Sequence, residues 1–459
     1  MIKKVSKTLV GIIACSSILS THALAAEKDI SIKKYDVEVS SKLFVPYSGK
    51  YIDSFKEGFK PGFGSGLTLK SVDKNGDLEF YAITDRGPNG DAPNYIQGDK
   101  EFTSKFFPSP EFTPSIGILK VNKDGASIKE SIPLKNNGKE ISGLPVTPGL
   151  VGSTNEVALD EDMNKLPYDN NGLDTEGVAV DKDGNFWTVD EYGPFLTKFD
   201  KNGNQLEKYA PGKGLPEVLK HRIPNRGFEG ITIAPSGKIY CVLQSVLDVN
   251  GETAKKAQFI RIVEFDPKTK KTKMFAYPHN VNSYKSSKNA KIGDIYAVSD
   301  SKLVIIEQGE DKSGKMNNLI YSVNLAGATD ISNKKYQGKE LEYATSKEIL
   351  NLKGIRFAKK ELLVDLVKYG WDKEKVEGMC VLPDKKSIAI VNDNDFGMAV
   401  DVNDPSVENA DITDYVYDSK TKKYTYEGKE ANAKISFVKN SIEERNPVLW
   451  LIDMNKPIG

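Results

Sequence analysis

Five stretches of the chain carry one order of apolar and polar positions. Each starts at a glycine and runs through a strand of alternating apolar residues. It then turns at a short polar stretch and returns as a second strand with a polar or acidic end. The first runs from Gly66 through Asp73-Lys74-Asn75-Gly76 to Asp85-Arg86. The second runs from Glu176-Gly177 through Asp181-Lys182-Asp183-Gly184 to Asp190-Glu191-Tyr192. The third runs from Glu229-Gly230 through Pro235-Ser236-Gly237 to Gln244, and the fourth from Gly293-Asp294 through Ser299-Asp300-Ser301 to Glu307. The fifth runs from Glu377-Gly378 through Pro383-Asp384-Lys385 to Asn392-Asp393-Asn394-Asp395. Period-two alternation around turn residues predicts a β-hairpin for each. Further strands follow at 116–121, 196–200, 259–265 and 319–323.

Four-stranded units repeated along a chain predict an all-β fold, a β-propeller. Six blades are favoured over five, because the gap between Gly66 and Gly177 has room for another hairpin around residues 138–160. Residues 448–453 read as a third strand, with the fourth supplied from the N-terminus around 30–39. Such a ring, closed by both termini, protects its edge strands. A β-sandwich is the rival fold, but it has no reason to repeat one acidic pattern. Two interruptions stand out. Leu362, Leu363, Leu366 and Val367 have helical spacing, which predicts an inserted helix near 359–369. Residues 396–446 form a long polar insertion with a hairpin at 415–417 and 424–426. It is either a lid over the Asp395 end or surface decoration.

Residues 1–25 read as a signal peptide: Lys3, Lys4 and Lys7, an apolar run, then Ala23-Leu24-Ala25 before the cut. The run is too short to span a membrane, and no later stretch is long enough. A lipoprotein anchored at Cys15 is the minority reading of the same segment. The chain is therefore expected outside the cytoplasm, secreted or periplasmic, as a single domain over 26–459. Past residue 25, Cys241 and Cys380 are expected as buried free thiols. Only His221 and His279 remain there, which argues against a histidine-rich zinc site. With 64 basic and 64 acidic residues the chain shows no electrostatic footprint for nucleic acid. Only six of the basic residues are arginine, Arg86 and Arg226 among them.

Antiparallel pairing brings the two ends of each hairpin together. Glu176 comes beside Asp190 and Glu191, Glu229 beside Gln244, Asp294 beside Glu307, and Glu377 beside Asn392 and Asp393. Asp85 and Arg86 close the first hairpin. In a propeller these ends meet at one mouth of the central channel. Crowded carboxylates raise one another's pKa unless a cation intervenes. Calcium, which takes six to eight oxygens of mixed type, is the expected ion. The Glu-Gly steps also read as bulges. Trp187 reads as core, and Asp181 to Gly184 as a hairpin turn rather than a calcium loop.

The segments Gly172-Leu173-Asp174-Thr175-Glu176-Gly177 and Phe186-Trp187-Thr188-Val189-Asp190-Glu191-Tyr192-Gly193-Pro194 resemble hallmarks of the phytase-like family, "esterase-like activity of phytase". Asn225 to Gly230, Val391 to Gly397 and Asp85 to Gly90 are similar to further motifs of that family. The resemblance implies a secreted β-propeller related to calcium-dependent phytases, with hydrolysis of phosphate or other esters. It implies site residues at Asp85, Arg86, Glu176, Asp190, Glu191, Tyr192, Glu229, Asn392, Asp393 and Asp395. The fourth blade departs from the pattern, with Glu307-Gln308 in place of an acidic-Arg step.

The expectation is a metal-dependent ester hydrolase acting on a small-molecule ester or phosphoester. Glu191, Glu229, Arg86 and Arg226 are its catalytic candidates. Tyr192, Asp85, Gln244 and Glu307 are placed at the substrate. Glu176, Asp190, Glu377, Asn392, Asp393 and Asp395 are placed at calcium. The alternative is a non-catalytic, calcium-stabilised propeller that binds a sugar, peptide or cell-surface ligand.

Overall fold

The computed structural model describes residues 30–345, 348–349, 352 and 354–458. The signal segment 1–25, with Cys15, lies outside the described residues. Each hairpin read from the sequence is the inner half of a four-stranded antiparallel sheet. Blade 1 is Gly66–Val72, Leu78–Ile83, Ser115–Asn122 and Gly125–Pro133. Blade 2 is Thr175–Val180, Phe186–Asp190, Phe195–Phe199 and Gln205–Pro211. Blade 3 is Phe228–Ile233, Ile239–Leu243, Phe259–Asp266 and Lys271–Pro278. Blade 4 is Lys291–Ala297, Lys302–Glu310, Met316–Asn324 and Lys359–Asp365. Blade 5 is Gly378–Val381, Ser387–Val391, Val448–Asp453 and the N-terminal strand Ser31–Val39.

Inner strands of successive blades touch all the way round, and that of blade 5 touches that of blade 1. Among the described residues the ring therefore has five blades, the lesser of the two counts the sequence allowed. Residues 138–160 build no sixth. They supply one strand of a two-residue ladder and Val157–Leu159, which pairs with Ser104–Phe106 in a side sheet. The ring closes as expected, Ser31 to Asp36 pairing with Asp453 to Val448. The same strand then crosses over, and Val37 to Val39 pair in parallel with blade 1. One strand thus ties the last blade to the first and leaves no open edge at the seam.

The core fills the gaps between blades. Ile83, Phe186 and Phe199 join blades 1 and 2, and Trp187, Phe265 and Ile305 join blades 2 to 4. Ile306, Ile390 and Trp450 join blades 4 and 5, and Val391, Leu449 and Phe80 join blades 5 and 1. Each such side chain contributes about 1.5–3 kcal/mol by leaving water. Near the axis the inner strands come too close for side chains. A Cβ on Gly66 would stand 2.7 Å from the Cα of Gly177, and one on Gly230 would stand 2.6 Å from Asp294 Oδ1. Cys241 and Cys380 are buried and free.

The helix expected near 359–369 is not there. Lys359–Asp365 is the outer strand of blade 4, followed by a short 3-10 turn, Leu366–Tyr369. The exposed edge of Met316–Asn324 captures the segment as a strand, and that ladder overrides the helical spacing of its leucines. The insertion at 396–446 contains the expected hairpin, Tyr415 opposite Tyr426 and Tyr417 opposite Tyr424. Its first strand also pairs in parallel with Asn94–Gln97, from an excursion of blade 1. Phe59, Phe106, Phe396, Tyr417 and Phe437 give this side sheet a core of its own.

Candidate functional site

The bulges at the heads of the inner strands set the mouth of the ring. In blade 2 the register passes from Thr175 opposite Asp190 to Gly177 opposite Val189, so Glu176 is the extra residue. In blade 3 it passes from Phe228 opposite Leu243 to Gly230 opposite Val242, so Glu229 is extra. Glu377 heads the inner strand of blade 5, its N–H donating to the carbonyl of Val391. Blade 4 places Gly293 at the bulge and blade 1 places Ser65 at the head of its strand. Three blades therefore carry a glutamate at this position. One carboxylate oxygen each from Glu176, Glu229 and Glu377 lies within 4.8 Å of the others, and so do those of Asp174, Glu176 and Glu191.

The returning strands supply amides to this group. Glu191, Gln244 and Gln308 each follow the residue that pairs across from the bulge, so they occupy equivalent positions. Gln244 Nε2 donates to Glu191 Oε1 (2.6 Å) and to Glu229 Oε2 (2.9 Å). Gln308 Nε2 donates to Glu377 Oε1 (3.0 Å) while its Oε1 accepts the N–H of Val376. Glu176 is 7% exposed and has no hydrogen-bond or ion-pair partner among the described residues. Asp174 Oδ2 is buried without a hydrogen bond and meets Arg86 Nη1 at 3.3 Å.

Cations stand around the carboxylates. Arg86 is buried against Asp174 and Glu156, accepted also by Asn225 Oδ1 (3.0 Å), with Tyr192 and Phe107 over its guanidinium. Lys375 Nζ donates to Asp393 Oδ2 and Asp395 Oδ1, both at 2.8 Å, and lies 3.9 Å from Glu377 Oε2. A cleft of about 670 Å³ opens beside Glu377. Arg226, Lys291, Lys315 and Lys375 reach it, and so do Glu310, Asp372, Glu374 and Glu444. Arg226 donates to the carbonyl of Lys288, whereas Lys291 and Lys315 have no ion-pair partner among the described residues.

Burial sets the protonation of the group. It pushes Glu176, Glu229 and Asp85 well above the ordinary carboxylate range, and the neighbouring acids push the same way. Glu191 rises to about 8 through burial and Asp174, with Arg86 opposing. Asp190 rises to about 7, mainly through burial. The folded chain thus holds protons that the unfolded chain, at 3.8 and 4.5 for these types, has already released. Stability of the cation-free protein is therefore expected to fall as pH rises from about 4 towards 8. Thermal unfolding in chelator across that window checks this, and added calcium is expected to flatten the decline.

Six expected positions take other roles. Asp190 turns to the chain, accepting the N–H groups of Asp174 (3.0 Å) and Gly193 (3.3 Å), and so is not with the grouped carboxylates. Glu307 lies opposite Ile292, one residue short of the mouth, and faces away. It accepts from Tyr277, Tyr284 and Lys360 between blades 3 and 4. A one-residue slip changes the face of every side chain, which explains both corrections. Tyr192 is fully buried with its hydroxyl on the carbonyl of Gly143, so it offers no face to a substrate. Asn392 staples blade 5, accepting the N–H of Val448 at 2.7 Å. Asp393 and Asp395 are together, but on Lys375. Asp85 is buried at the mouth, its Oδ1 accepting the N–H of Gly87 (2.8 Å).

Sequence reasoning missed Asp174, Gln308, Lys291 and Lys375. Asp174 stood inside a quoted hallmark, and Gln308 was visible as the residue after Glu307. The two lysines carry no local signal in a lysine-rich chain.

The architecture defines a five-bladed β-propeller with an acidic mouth flanked by a cleft lined by charges of both signs. The chain belongs to the phytase-like family, described as esterase-like activity of phytase, which it matches over residues 61–396. It is 24% identical over 359 residues to an uncharacterized secreted protein of Arthroderma benhamiae, covering 63% of this chain and 68% of that one. Among solved structures it is similar to virginiamycin B lyase from Staphylococcus aureus, at 9% identity and a TM-score of 0.27, covering 93% of this chain and 99% of the lyase. The α-L-arabinofuranosidase of Podospora anserina gives 10% identity and a TM-score of 0.34, with 93% and 98% covered. The blade topology, rather than these likenesses, defines the fold. No helix among the described residues is long and apolar enough to cross a membrane.

Proposed function

We propose that the protein is a secreted, metal-dependent ester hydrolase, with phosphoesters favoured, working where the acidic mouth meets the cleft that Arg226, Lys291 and Lys315 reach. The observation that carries this reading is Glu176. A carboxylate so deeply buried, unpartnered and surrounded by other carboxylates is costly unless a cation completes it. All the donors are oxygens, with two carboxamides close by, a set that suits calcium. Glu176, Glu229 and Glu377 would hold the ion, with Asp174 and Glu191 in reach. When bound, the ion supplies Lewis-acid polarisation of an ester oxygen.

The chain's own residues do the rest. Arg226, Lys291 and Lys315 present positive charge to an anionic ester in the cleft. Gln244 bridges Glu191 and Glu229 and fixes both carboxylates. Glu191, held by Gln244 Nε2, takes a proton from water. Arg86 is inside the wall as the counterion of Asp174, so it positions rather than binds substrate. Secretion follows the leader-like first 25 residues and the secreted relative.

The test is product release from phosphomonoesters, phosphodiesters, carboxylic esters and phytate, each with calcium and with chelator. Calcium-dependent turnover is expected, reduced about 10²–10⁴-fold in Glu191→Gln, the usual worth of a positioned base. That variant is expected to keep its stabilisation by calcium. Absence of turnover from a folded, calcium-binding protein would instead support a binding propeller.

A further inference from the structure

The turn Asn392 to Asp395 has the composition of a calcium loop, yet oxygens of Asn392, Asp393 and Asp395 are already engaged. Asp393 Oδ1 accepts the N–H of Asp395 (3.1 Å), and its Oδ2 accepts Lys375 (2.8 Å). Asp395 Oδ1 accepts Lys375 as well, and Asn392 Oδ1 holds Val448. Asn394 Oδ1 is buried on the same side without a hydrogen-bond partner. Glu377 belongs to both halves of the mouth. One of its oxygens groups with Glu176 and Glu229, and its Oε2 lies 3.9 Å from Lys375 Nζ. A carboxylate shared between two positive positions is the usual plan of a two-metal site.

We propose that Lys375 is a built-in cation standing where a second divalent ion would otherwise bind, so that the mouth takes a single ion on the side of Glu176 and Glu229. The number of ions rests on the cation site of the proposed hydrolase; the role of Lys375 rests on its own contacts. A lysine is suited to this place. Its ammonium is a compact point charge with three donors, two of which are spent on Asp393 and Asp395. Without it, Asp393 and Asp395 lose the ammonium they share and Glu377 loses the one beside it, leaving carboxylate oxygens of the kind a hard cation takes.

Calorimetric titration of the full chain with calcium alone tests this. The expected counts are one ion for the wild type, one for Lys375→Arg and two for Lys375→Met. Asp393→Asn combined with Asp395→Asn, in the wild-type background, is expected to leave the single ion in place. That arm decides the matter even if Lys375→Met does not fold. An unchanged count in folded Lys375→Met would overturn the proposal, and so would loss of the ion in the double variant. A wild type that binds no ion, beside a Lys375→Met that binds one, would uphold Lys375 and remove the ion from the glutamates.

Discussion

Glu229→Gln is expected to change activity and stability in opposite directions. Glu229 is 1% exposed, takes a hydrogen bond from Gln244, and shares its corner with Glu176 and Glu377. Removing its charge would take away one of the three anionic ligands of the proposed ion. Calcium affinity should fall by at least about 100-fold, since even outer partners of a metal ligand are worth about 10–100-fold. Turnover should fall with it. In chelator the variant should be more stable than the wild type, because a buried carboxyl that the fold must hold protonated has become a neutral amide. Thermal unfolding with and without calcium, beside the turnover assay, reads both effects. A variant with wild-type calcium affinity would remove Glu229 from the site.

Glu342→Ala is expected to be strongly destabilising. Arg261, in the third strand of blade 3, is 1% exposed, and Glu342 is 0% exposed. Arg261 Nε donates to Glu342 Oε1 (2.7 Å) and Nη2 to Oε2 (2.8 Å), a bidentate pair. Glu342 lies in the long connection before the outer strand of blade 4, so the pair fastens that connection to blade 3. Truncating Glu342 strips buried Arg261 of both these hydrogen bonds, leaving Glu340 Oε2 at 3.7 Å from Nη2, and costs about 3–5 kcal/mol. Urea unfolding measures it. Arg261→Met combined with Glu342→Leu should recover most of the loss, because a desolvated pair is replaced by packing. A loss below about 1 kcal/mol in Glu342→Ala would contradict this account of the connection.

The blades were legible because period-two alternation and turn chemistry are local properties. Asp181-Lys182-Asp183-Gly184 turns as its residues dictate, Asp181 Oδ1 accepting the N–H groups of Asp183 and Asn185. The glutamate ring was legible because Glu176, Glu229 and Glu377 recur before glycines. What sequence could not supply was phase and partnership. The bulge in blade 4 falls at Gly293, which puts Gln308 rather than Glu307 at the mouth. The leucines at 362 and 363 fit a helix, but an edge waiting for a fourth strand took them. Lys375 resembles any other lysine until the fold brings it against Asp393 and Asp395.

Anomalous diffraction from crystals grown with a calcium-like lanthanide tests the central claim most directly. The account predicts one peak, bonded to oxygens of Glu176, Glu229 and Glu377, with Lys375 still on Asp393 and Asp395. A peak within the Asn392 to Asp395 turn, or no peak at the mouth, would contradict it.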